Sequence, residues 1–258
     1  MKSTRSIRLA AFAASLSVVS AFAQTDLEKA AAALKGGDAA AAEALVAPLA
    51  SATPPDAAAL HLLSQVRLAQ KRTKEAVEAA EAATKADPTR AEHFSQLGMA
   101  LSARMPEVGF MQMAMLSGRM KSAFEKSVEL DPRHVAGLIG LCRFHVNAPE
   151  IAGGSLTKAA EYATRLKALV PPLGEAELGR VAEKREDLPA ALAHYEASLA
   201  LRAEAPNTQV AAGRVLAKLG RKDEARARFE AALRLKPDLA PAQQALAELD
   251  APGAAGGS

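Results

Sequence analysis

The chain has no tryptophan, two tyrosines and seven phenylalanines, so aromatics are only 3% of its 258 residues. It therefore offers few platforms on which unpaired bases could stack, and no nucleic-acid partner is expected. Cys142 is the single cysteine, which excludes an internal disulfide framework. The sequence lacks Gly-x-Ser-x-Gly, His-Glu-x-x-His and the spacings of zinc or calcium loops. Gly153-Gly154-Ser155 followed by Lys158 is only a fragment of a phosphate loop, and it reads better as a turn with Ser155 as a helix cap. His61, His93, His134, His145 and His194 stand at no ligand spacing and read as surface or partly buried helix residues. The expectation is a protein without catalytic chemistry, cofactor or metal centre.

Long apolar runs are also missing. The longest, residues 9–22, is about 14 residues and falls short of the ~20 a spanning helix needs. Lys2, Arg5 and Arg8 precede it, and Ala21-Phe22-Ala23 closes it with a small-x-small site. This is the pattern of a secretory signal, residues 1–23, cut between Ala23 and Gln24. No cysteine lies near the cut to carry a lipid. Removing the segment takes away three basic residues and no acidic ones, so the net charge falls from +3 to 0. The mature chain is expected in the periplasm, without stable membrane insertion.

What is abundant is alanine, at 63 positions, with leucine, glutamate, lysine and arginine behind it. That is the composition of packed helices, not of a β-sandwich or barrel. The helical runs recur with a period of about 34 residues. Pro88, Pro132 and Pro237 each close a similar phrase. Eight residues before each stands Ala80, Phe124 or Phe229, and four earlier Ala76, Met120 or Ala225. Upstream lie Leu63-Ser64, Leu97-Gly98, Leu178-Gly179 and Ala212-Gly213, where a small residue would let two helices approach closely.

With this pattern the chain resembles the tetratricopeptide repeat family. The resemblance implies an all-α, right-handed superhelical solenoid of about six helical hairpins. The repeats read 24–56, 57–90, 91–134, 135–171, 172–205 and 206–239, with a capping helix at 240–250 and a frayed tail at 251–258. It also implies that the first helix of each repeat lines a concave groove that binds a polypeptide. At the ninth position of the repeat, one that the resemblance turns toward the groove, stand Gln65, Met99, Arg143, Arg180 and Arg214, with Lys184 and Lys218 one turn beyond the last two arginines. Such a stripe suits an acidic or carboxylate-terminated segment, because guanidinium pairs bidentately with carboxylate. The alternative is that these are ordinary solvated residues, partly neutralised by Glu183.

The third repeat is ten residues too long, around 104–119. Every methionine after the first lies between Met99 and Met120. Phe110, Met111, Met113 and Met115 are candidates for contact with a partner, since methionine packs adaptably. Ordinary packing within the chain is a second reading. A third is copper handling, because soft thioethers suit Cu(I). The expected role is an exported protein–protein scaffold or adaptor, with the copper-handling protein as the alternative.

Overall fold

The computed structural model describes residues 25–250. The proposed signal 1–23 and tail 251–258 lie outside the described residues. These residues form two compact units, divided between His134 and Val135. The first holds α1 (25–35), α2 (Ala39–Ala50), α3 (Ala57–Ala69), α4 (Thr73–Ala86), α5 (Ala91–Arg104) and α6 (Phe110–Leu130). The second holds α7 (Val135–Asn147), α8 (Leu156–Leu169), α9 (Pro171–Lys184) and α10 (Leu188–Leu201). It continues with α11 (Pro206–Lys218), α12 (Lys222–Leu235) and α13 (Ala240–Asp250). No strand occurs among the described residues, and within each unit helices that follow one another from α2 to α6 and from α7 to α13 pack against each other. The fold is an all-α solenoid.

Four hairpin turns share one chemistry. In each, the middle residue adopts the left-handed region: Gly37 at φ +86°, Lys71 at +61°, Glu186 at +63° and Gly220 at +77°. The next N–H then reaches back five residues, as Arg72 does to the Arg67 carbonyl at 2.8 Å and Arg221 to that of Leu216 at 2.9 Å. This closure satisfies carbonyls that the ending helix leaves open. Asp38, Asp56, Ser155 and Asp187 cap the following helices through their side chains. Helices α4, α6 and α12 end just before Asp87-Pro88, Asp131-Pro132 and Lys236-Pro237, because proline cannot continue the ladder.

Alanine supplies 20 of the 43 buried apolar residues among those described, so the helices lie close and each buries little area. Large side chains are used sparingly, at one recurring contact. A Cβ on Gly98 would meet the Phe124 ring at 2.6 Å, one on Gly179 the Tyr195 ring at 2.7 Å, and one on Gly213 the Phe229 ring at 2.5 Å. The glycine of each first helix thus makes the hole that the aromatic of the second fills. The cores follow from this: Tyr195, Leu216 and Phe229 centre one over α9–α13, and Val46, Leu63 and Val66 another over α1–α4.

Candidate binding faces

In the second unit the stripe of cations falls on α7, α9 and α11. Arg143, Arg180, Lys184, Arg214 and Lys218 are all exposed. The structure brings two of them together on one carboxylate. Arg143 donates from Nε and Nη2 to Glu177 Oε1, at 2.9 and 2.6 Å, and Arg180 donates from Nε to Oε2 at 3.2 Å. The Glu177 side chain is 4% exposed. Lys218 donates to Glu183 Oε1 at 2.7 Å, and the Tyr195 hydroxyl donates to Oε2 at 3.2 Å. Lys184 and Arg214 have no ion-pair partner among the described residues. Five cations thus face two carboxylates, and the stripe keeps an excess of positive charge.

The sequence pattern singles out neither Glu175 nor Glu177, because a glutamate on a helix carries no mark of burial. Both are buried on α9. Burial alone would raise the Glu175 carboxyl. Hydrogen bonds from Lys167 and His194, at 2.6 and 2.8 Å, outweigh it and hold the group below the usual carboxylate range. Glu175 therefore ties α9 to α8 and α10, and Glu177 ties it to α7. Cys142 lies beside Glu177, with Sγ 3.9 Å from Oε2. Burial first, then the Glu177 charge, pushes its thiol up to about 12, so it stays protonated and unreactive.

In the first unit a polar ladder runs along α3 and α5 and on to His134. His61 Nδ1 lies 3.3 Å from His93 Nδ1, and His61 Nε2 lies 2.9 Å from Gln65 Nε2. Gln96 donates to Ser64 Oγ at 2.9 Å, and His134 Nε2 lies 2.9 Å from Ser95 Oγ. Burial, then repulsion from His93, lowers His61 to about 4, so the imidazole is neutral at ordinary pH. Two of the histidines come together: His61 and His93 meet across a 32-residue separation, which adjacent repeats bridge. His93 and His145 are buried, at 7% and 3% exposure, rather than at the surface or partly buried as the sequence suggests. Among the described residues, no group of three or more His, Cys, Asp or Glu could hold a metal ion.

The extra residues of the third repeat lengthen α6. They do not pack inward. Phe110, Met111 and Met115 are 85%, 81% and 70% exposed, and Met113 is 39%. Met120, ten residues into the helix, is buried with Ala123 and Phe124. No described helix is long and apolar enough to cross a membrane.

Known proteins share this architecture. The solved structure of PilW, a type IV pilus biogenesis factor, superposes with a TM-score of 0.66 at 18% identity, covering 87% of this chain and 98% of PilW. Pseudomonas aeruginosa pilF gives 0.62 at 16% identity, with 89% and 98% covered. The Cut9–Hcn1 complex gives 0.66 at 19% identity; 85% of this chain is covered, but only 41% of that one. At these identities the likeness is one of fold. Among curated proteins none matches the sequence. The tetratricopeptide repeat family model matches residues 18–91 and 176–240, more than half of the sequence, and the chain belongs to that family.

Proposed function

We propose that this protein is an exported, non-catalytic scaffold that holds an acidic polypeptide segment on the face formed by α7, α9 and α11. One observation carries the reading: Lys184 and Arg214 are exposed and unpaired beside two arginines already fixed on Glu177. Arginines fixed in place lose less freedom when they bind a carboxylate. The excess of positive charge favours an acidic partner and sets its approach. Export rests on the N-terminal pattern around Ala21-Phe22-Ala23. A role in assembling envelope structures is in keeping with the pilus biogenesis factor among the proteins of similar fold.

The test avoids Arg143 and Arg180, whose removal would strand a buried carboxylate. Arg214→Glu with Lys184→Glu changes the face without touching Glu177. Capture of envelope proteins by the native chain should yield a partner whose acidic segment, made as a peptide, binds in a salt-dependent way. The double variant should lose that peptide while keeping its helical circular dichroism. Equal binding by both proteins would remove the face from consideration.

A further inference from the structure

We propose that the tip of α6 is the oxidant-reactive site of this chain, where Met111 and Met115 take an oxygen atom from a hypohalous acid and give it up again to a thiol-dependent sulfoxide reductase. The chemistry balances at sulfur. The thioether lone pair attacks the chlorine of hypochlorous acid and displaces hydroxide, and water then displaces chloride. Sulfur loses two electrons, chlorine gains them, and the products are a sulfoxide, chloride and a proton. In the return step two thiols of the reductase become a disulfide, and the oxygen leaves as water.

Helix register puts these thioethers in solvent. The aromatic that meets the glycine of the preceding helix is the eighth residue of α10 and of α12, as Tyr195 and Phe229, but the fifteenth of α6, as Phe124. The added residues therefore precede the packed part of α6, as about two turns, on the order of 10 Å of helix. By the helical period Met111 and Met115 lie one turn apart on the side away from buried Met120, and they are 81% and 70% exposed. Met113 falls on the Met120 side, at 39%. Exposure thus ranks the sulfurs. Met111 and Met115 come first, Met113 and Met99 next, and Met120, at 7%, last.

The sulfur of Cys142 is withheld. A cysteine thiolate ordinarily reacts with such oxidants ahead of a thioether. Cys142 has no exposed surface and lies in a cluster with Val146, Ala159, Ala163 and Val181. Its thiol stays protonated beside Glu177. The usual order of the two residue types is therefore reversed in this chain. The tip also accepts the product. A sulfoxide is polar and disrupts a core, but residues 109–115 are all exposed, so the added oxygen stays in water. The exposure that admits the oxidant admits the reductase as well.

Purified protein treated with hypochlorous acid at about one equivalent per chain, then digested and read by mass spectrometry, tests this. Sulfoxide is expected first on Met111 and Met115. Cys142 should remain open to alkylation after unfolding, Met120 unmodified and the helical circular dichroism unchanged. The two sulfoxide reductases, one for each epimer, with dithiothreitol should return the oxidised chain to its original mass. Met111→Leu with Met115→Leu should keep the fold and lower the yield of sulfoxide by about threefold or more. Oxidation of Cys142 or Met120 while the tip is still reduced would overturn the proposal. So would an unchanged yield in the double variant, a loss of helical signal when the tip is oxidised, or sulfoxides that the reductases leave in place.

Discussion

Glu177 sits almost out of solvent between two half-exposed arginines, and the balance of that trio belongs to single residues. A buried carboxylate is tolerated only while something compensates its charge. Removing Arg143 and Arg180 together should therefore destabilise the protein by about 2–3 kcal/mol, less than a fully buried pair because both guanidiniums are partly solvated. Adding Glu177→Gln to that double variant should restore most of the loss, since a neutral amide has less to lose. Urea denaturation of the three proteins reads this directly, and equal stability of double and triple variants would contradict it. The arginines were legible in the sequence as a stripe; their anchor was not. A glutamate on a helix looks the same whether it faces water or a neighbouring repeat. The available signal was spacing. Glu177 follows Arg143 by 34 residues, Lys218 follows Glu183 by 35 and His93 follows His61 by 32. Polar residues one repeat apart on first helices are the ones that meet.

At the scale of elements, the hairpin turns divide into two that are built comfortably and two that are not. Gly37 and Gly220 occupy the left-handed position, where glycine has no Cβ to clash. Lys71 and Glu186 occupy the same position with full side chains, at a cost of roughly 1–2 kcal/mol each. Both are exposed, and the backbone hydrogen bonds of the turn hold them there. Lys71→Gly and Glu186→Gly should each stabilise by about 0.5–1 kcal/mol, the residue of relieved strain after the greater freedom of glycine in the unfolded chain. A rise of a few degrees in Tm for either variant is expected, and a fall would show the side chain contributing something the turn geometry does not reveal. Helix order was largely readable because small residue, aromatic and proline recur at fixed offsets, and each has one steric job. The tip of α6 was not. A methionine-rich stretch satisfies a buried helix and a protruding one equally well, and only the register set by Phe124 against Gly98 distinguishes them.

For the whole molecule the decisive quantity is net charge, and it depends on where the chain starts. With residues 1–23 the protein carries +3 and a sequence pI of about 9.0. Without them 29 basic and 29 acidic residues balance. A neutral protein has little long-range attraction for polyanions or anionic lipid. Local excess then governs recognition, such as the cations on α7, α9 and α11. The positive stripe is selective only against a neutral background, so the proposed partner and the proposed export stand on the same event. Produced in a bacterium with a secretion system, the protein should be recovered with an intact mass that starts at Gln24. Isoelectric focusing should place it near neutrality, clearly below the unprocessed chain. Ala21→Asp with Ala23→Asp, which spoils both small positions of the cleavage site, should leave the larger, more basic form attached to the membrane fraction. Recovery of the full-length mass from the cytoplasm of the native strain would sink the export reading. It would also leave three extra positive charges on the chain, and the salt dependence of partner binding would then have to be measured against that basic background.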